Sequence, residues 1–377
     1  MSISIDHIVF LELLKASLFH EIPNIVEEPN WDNVYDIAKA QCVIALIEPV
    51  VPNEYKEKWI EVTYQSIAYY IKLAYEQNEL VKIFHSNNIP MVILKGNSVA
   101  MYYPEPQRRT MGDIDFIVSK EKFSEAVELM KNNGYVFISD HERHIIYEKN
   151  GIEFELHRMM SSQYYNNIES IVMHGINHSV EYRINDVSFY GLPIYENGIV
   201  ILGHIMQHLK SSGIGFRQII DWMMFVHNRL GDYEWKNYFK PLAKEAGLEK
   251  LAIDITRICQ KWLGLPDNIT WCNSADEELS DRIFERAFID GNFGYERPIM
   301  DGIKASMKTK GVFSYLQYAG MKHWKMAQKH KVLRPFAWIY QIFRYVRRGI
   351  VGLIHRDNIF RKEKPEMELE DIWERLE

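Results

Sequence analysis

Apolar residues recur at three-to-four spacing through most of the first 88 positions. The runs are "DHIVFLELLKASLF", "WDNVYDIAKAQCVIALIEPV" and "NEYKEKWIEVTYQSIAYYIKLAYEQNELVKIFHSNN", and their period is that of an amphipathic helix. Pro49–Asn53 and Pro90 interrupt the pattern, and beyond Pro90 it changes. "MVILKG" is a short apolar run ended by Gly96, "NSVAMYY" is a short helix closed by Pro104, and "DIDFIV" reads as a second buried strand. "SKEKFSEAVELMKNNG" predicts a helix with Ser119 as its N-cap and Gly134 as its stop. In "HIIYEKNGIEFELHR" two β-rich runs flank Asn150-Gly151, a strong hairpin signal. "HSVEYRINDVSFYGLPIYE" is β-rich again. Four helical runs follow, "NGIVILGHIMQHLKSSG", "FRQIIDWMMFVHNRL", "YEWKNYFKPLAKEAG" and "LEKLAIDITRICQKWLG", which predict a bundle. The fold class is therefore α/β (α+β): a small mixed sheet between N-terminal helices and a C-terminal helical bundle. The expected divisions are 1–88, 89–195, 196–303 and 304–377.

One strand breaks its own pattern. "MGDIDFIV" places Asp113 and Asp115 two apart, so both carboxylates point to the same side of the strand. Two ionised carboxylates that close repel unless a cation lies between them. In "GIEFELH" the residues Glu153, Glu155 and His157 also alternate with apolar ones and share a face. If that strand lies beside the first, a third carboxylate reaches the pair. Three carboxylates on adjacent strands suit a hard divalent cation such as Mg²⁺, and two such ions hold a triphosphate for in-line displacement at phosphorus. Glu155 is the expected third acid and Glu153 its rival. Upstream, "LKG" ends a strand just before a short helix, so backbone N–H groups around Gly96 can face phosphate. Lys95 either contacts phosphate or is solvated. Arg108 and Arg109 offer charge that offsets a triphosphate.

The order "LKG … YYPEPQRRTMGDIDFIV … IEFELH" resembles the nucleotidyltransferase superfamily with the polymerase-beta-type fold. More closely it resembles the group known as uncharacterised nucleotidyltransferases, from about Ile89 to Asp221. The resemblance implies Gly96 as the phosphate-facing turn, Asp113 and Asp115 as the metal-binding pair, and Glu155 as the third acid. It implies Arg109 as the arginine ahead of "GDID", and His204, His208, Arg217 and Asp221 as a later H-x-x-x-H … R-x-x-x-D signature. Many members have Gly-Gly or Gly-Ser in the turn. Here Gly96 is followed by Asn97 and Ser98, which are grouped with Lys95 in the expected nucleotide-binding turn. The implied reaction moves a nucleoside monophosphate from an NTP such as ATP to an acceptor hydroxyl, with two Mg²⁺ ions, and releases pyrophosphate. A small molecule or glycan precursor is the favoured acceptor. Transfer to protein or RNA, or a silent nucleotide-binding scaffold, are the alternatives.

The later signature also has structural readings. His204 and His208 are one helical turn apart, a spacing that binds zinc, but no HExxH surrounds them and no third ligand is evident. Arg217 and Asp221 have the same spacing and either pair with each other or face the site. Composition changes the picture little: 47% hydrophobic and 25% charged residues are those of a globular protein. Three scattered cysteines without a CxxC argue against a disulfide framework or a zinc site. No basic leader and no eighteen-residue apolar stretch is present, so the expected location is the cytoplasm. Charge is uneven. Residues 304–364 carry fifteen Lys/Arg against Asp357 and Glu363, while the whole chain carries −7. That basic segment is expected to dock on the acidic body, with a membrane surface or nucleic acid as alternative partners.

Overall fold

A computed structural model of the chain describes residues 3–159, 166–210, 213–292, 312–344 apart from 325, 328 and 329, and positions 372, 375 and 376. Most of the basic segment, 304–311 and 345–364, lies outside the described residues, and its expected docking with it. The N-terminal helices are α1 (Ile5–Phe19), α2 (Trp31–Ala40), α3 (Ile44–Ile47) and α4 (Glu57–Ser86). The second predicted run is thus two helices, broken where Cys42 takes a φ of 56°. Then come β1 (Met91–Ile93), α5 (Asn97–Ala100), β2 (Asp113–Val118), α6 (Phe123–Asn132), β3 (Val136–Asp140), β4 (His144–Lys149) and β5 (Ile152–His157). After them run α7 (Asn166–Asn177), β6 (Val180–Ile184) and β7 (Val187–Gly191). The bundle holds α8 (Ile194–Lys210), α9 (Phe216–Arg229), α10 (Asp232–Glu234), α11 (Lys240–Glu245), α12 (Glu249–Leu263) and α13 (Glu277–Asp290). No helix among the described residues is long and apolar enough to cross a membrane.

The seven strands of the described residues form one mixed sheet in the order β3-β4-β5-β2-β1-β7-β6. β2 runs antiparallel to β1 and parallel to β5. The β4–β5 hairpin turns at Asn150 and Gly151, with φ of 54° and 72°, the left-handed pair that such turns require. α6 starts later than expected. Ser119 caps a 3-10 turn (Lys120–Lys122) without a side-chain cap bond, and the α-helix begins at Phe123.

The two faces of the sheet belong to two cores. Ile114, Phe116 and Val118 of β2 and Ile152, Phe154 and Leu156 of β5 pack with α6 and with Tyr70, Leu73, Leu80 and Phe84 of α4. On the opposite face, Ile117 of β2 with Val92 and Leu94 joins the core of the helical bundle. Alternation therefore sends Asp113 and Asp115 to the bundle side, at the end of β2 where sheet and bundle part. α4 ties the two together. At 30 residues it is about 45 Å long, with Trp59 in the bundle core and Phe84 in the sheet core.

Phe84 meets Phe116 edge to face, with ring centroids 5.4 Å apart, and both are fully buried. Phe116→Ala is expected to cost about 3–5 kcal/mol in denaturant unfolding. The Phe84→Ala/Phe116→Ala double variant should cost less than the sum of the single variants. Additive costs would show that the two rings do not hold each other.

Candidate active site

The parallel register of β2 and β5 sets the site. Asp113 lies beside Glu153, Asp115 beside Glu155 and Ile117 beside His157. Glu153 is exposed. Asp113, Asp115 and Glu155 each bring a carboxylate oxygen within 4.8 Å of the other two, and this trio does not include Glu153. Asp115 is 2% exposed. Its Oδ1 accepts from Lys95 Nζ at 2.7 Å and is 2.8 Å from His157 Nε2. His157 Nε2 is also 3.4 Å from Glu155 Oε2, and His144 Nδ1 approaches the same oxygen at 3.6 Å. His144 was not singled out in the sequence. The two-residue turn at Asn150-Gly151 nonetheless sets it directly across from His157.

Gly96 supplies the turn between β1 and α5. Its φ of 60° with ψ of −114° is a conformation only glycine adopts readily. Of the four amides of α5, those of Ser98, Val99 and Ala100 donate to the carbonyls of Lys95 and Gly96, so they close the turn itself. The next two side chains turn away from the site. Asn97 and Ser98 are fully buried, with Asn97 donating to Gln77 at 3.1 Å and Ser98 Oγ donating to the Lys95 carbonyl at 3.3 Å. Neither lines the cavity in front of the acids. A nucleotide contact from these two residues is thus limited to their backbone.

The facing wall comes from α8 and α9. Arg109 does not present an open fork: Nε and Nη2 donate to the two oxygens of Asp221 at 2.7 and 2.8 Å, and Tyr103 donates to the same carboxylate at 2.7 Å. Asp221 therefore pairs with Arg109, while Arg217 donates to Asn292 and to the Thr110 carbonyl, each at 3.2 Å. Arg108 bonds Glu105 and Glu48, away from the acids. His204 and His208 contact each other through Nε2 at 2.8 Å, and neither belongs to a metal-capable cluster among the described residues. Acids, Lys95, Gly96, Arg109, Arg217, Asp221 and both histidines border one cavity of about 630 Å³.

A family model for uncharacterised nucleotidyltransferases matches residues 27–264. The chain belongs to that family. A search of curated proteins gives no match. The match covers the sheet, the acids and the α8–α9 wall, and thus every residue lining the cavity except Asn292. Sequence reasoning missed His144 and Thr110 in it, and Tyr103 behind it on Asp221. Only His144 carried a signal, through hairpin register; the other two are revealed by tertiary contact.

Charge is distributed unevenly between the two aspartates of β2. Repulsion from Asp115 and then burial push the Asp113 carboxyl up to about 7. Burial works against Asp115 too, but Lys95 and His157 hold it well below the usual carboxylate range. Burial depresses the histidines of the wall, His208 to about 3 and His204 well below its ordinary value, and takes His144 down to about 4. His157 moves the other way, since its bonds to Asp115 and Glu155 outweigh burial. Burial and the neighbouring Arg109 lower Arg217. In Arg109, burial is outweighed by Asp221 and the pKa rises.

A carboxyl raised on folding stabilises the fold below its unfolded value, near 4, and loses that contribution as pH climbs through about 7. Depressed His144, His204 and His208 slope the other way below their unfolded value, so the clean comparison is with Asp113→Asn. In metal-free buffer the variant should gain stability relative to the parent between pH 4 and 8, read as melting temperature at each pH. A constant offset would mean that Asp113 is not strained by Asp115. Arg109→Ala should cost about 3–5 kcal/mol, because it strands the buried Asp221 charge. A cost below about 1 kcal/mol, the level of an exposed pair, would remove Arg109 from the frame of the site.

Proposed function

We propose that the chain is a divalent-metal-dependent nucleotidyltransferase that moves a nucleoside monophosphate from an NTP to an acceptor hydroxyl. The observation that carries this reading is the carboxylate trio Asp113, Asp115 and Glu155, clustered within 4.8 Å on adjoining parallel strands at a cavity. An all-oxygen donor set fits Mg²⁺. Asp113 and Asp115 would hold one ion and Asp115 with Glu155 a second. When bound, the ions neutralise phosphate charge and lower the pKa of the attacking hydroxyl.

The chain's own residues do the rest. The backbone at Gly96 would face the phosphates, and Lys95, whose side chain is 24% exposed, would add positive charge there. Arg109 acts through Asp221, fixing α9 against the loop before β2, while Arg217 brings a second guanidinium to the cavity. Substrate positioning and charge neutralisation suffice for this chemistry, so no covalent nucleophile is required. A small molecule or glycan precursor remains the favoured acceptor.

One observation favours a second reading. Asp115 Oδ1 already has two partners, Lys95 and His157. A site closed by its own cations would bind nucleotide or a partner without turnover.

Calorimetric titration of the four NTPs, with Mg²⁺ and with EDTA, separates these readings when combined with pyrophosphate release. The transferase should bind one NTP in a Mg²⁺-dependent way. Asp113→Asn should weaken that binding and any turnover by at least about 100-fold. NTP binding indifferent to Mg²⁺, EDTA and the substitution would sink the metal-dependent reading and leave the silent module.

A further inference from the structure

Beside the acidic trio stands a second set of donors with different chemistry. His144 on β4 and His157 on β5 are cross-strand partners, and Glu155 projects from the same face two residues before His157. One donor atom from each lies within 4.8 Å of those of the other two. We infer that His144, Glu155 and His157 form a binding site for a borderline first-row divalent cation, such as Mn²⁺, Co²⁺ or Zn²⁺, alongside the acidic trio.

Spacing supports this. Ligands about 2.1 Å from an ion at near-tetrahedral angles stand about 3.4 Å apart. Glu155 Oε2 is 3.4 Å from His157 Nε2 and 3.6 Å from His144 Nδ1. Donor type points the same way, because imidazole nitrogen with one carboxylate favours these ions over Mg²⁺. The state of His157 is a second, independent observation. The residue is 6% exposed, and its Nε2 faces oxygens of both Asp115 and Glu155. Among the described residues its buried Nδ1 has no hydrogen-bond partner. The two carboxylates hold a proton on Nε2, and an ion bound to Nε2 would take that proton's place beside them. His144 and Glu155 line the cavity, giving an ion access. Glu155 belongs to both donor sets, so it would bridge a borderline ion here and a hard ion at Asp113 and Asp115.

The test uses Co²⁺ as a spectroscopic probe on the full chain, titrated in excess Mg²⁺ so that the all-oxygen set is masked. The parent should develop visible Co²⁺ absorption saturating at one ion per chain, and Asp113→Asn should retain it. His144→Ala should weaken Co²⁺ binding on the order of 10–100-fold. His144→Gln, which keeps bulk and polarity, is the second variant if alanine lowers the melting temperature. Both His144 variants titrating like the parent would overturn the site. So would a Co²⁺ signal that Asp113→Asn abolishes and the His144 variants keep, since the ion would then sit in the trio. NTP binding lost in Asp113→Asn with Co²⁺ binding intact separates this site from the transferase reading.

Discussion

Asp115 is buried to 2% exposure with an ammonium 2.7 Å away and an imidazole 2.8 Å away, and a second carboxylate, Asp113, precedes it on the same side of the same strand. Leaving such a group unpaired would cost several kcal/mol, so the surrounding structure is arranged around its charge. The strand cannot relieve the conflict by slipping. A shift of one residue would exchange Asp113, Asp115 and Ile117 with Ile114, Phe116 and Val118, and the latter three are locked into the core beneath α4 and α6. Packing on one face thus holds electrostatic strain on the other. Asp113 takes up that strain by rising toward neutrality, while Asp115 keeps its charge because Lys95 and His157 are beside it.

A second buried pair fixes the opposite wall. Arg109 leads into β2 and Asp221 sits in the middle of α9, and their two-point contact with Tyr103 alongside joins the loop to the bundle. Buried ion pairs add little net stability over an apolar substitute, but a planar fork against a carboxylate fixes orientation. The cavity consequently has a floor of β-strand and a wall of helix, neither built on a long loop. Elements of that kind hold donor groups to the tolerances that phosphoryl chemistry needs.

Much of the fold was legible because local pattern and tertiary environment agreed. β2 and β5 read correctly since their alternation matches a sheet with two distinct faces, and Asn150-Gly151 set the hairpin register. β3 escaped because Val136, Phe137 and Ile138 are all exposed, so no buried face imprints a period of two. The division at residue 88 did not anticipate that the second half of α4 packs under the sheet, because an amphipathic stripe does not say which partner it meets. Asp113, Asp115 and Glu155 came together as their spacing implied, and parallel register separated Glu155 from exposed Glu153. Arg109 was noticed for its charge, but its partner lies 112 positions away, a distance at which sequence offers no pairing signal. Asn97 and Ser98 were grouped with the turn by position, whereas the sharp bend at Gly96 rotates both side chains inward.

Lys95 connects the resting arrangement to the proposed reaction. Its ammonium lies against Asp115 Oδ1, on the side where the acids converge, and so supplies the positive charge that the trio requires. A divalent ion placed there competes with it directly, since a cation against a cation at contact distance is unfavourable. Lysine suits that exchange better than arginine. Its charge is compact and its stem flexible, and at 24% exposure it has room to swing toward the cavity. On the transferase reading, Lys95 would then be free to meet the phosphates, and the cation that quiets the resting site would serve as a phosphate contact. Asp113, already strained by its neighbour, is the carboxylate with most to gain from the exchange, and metal and nucleotide would then enter together.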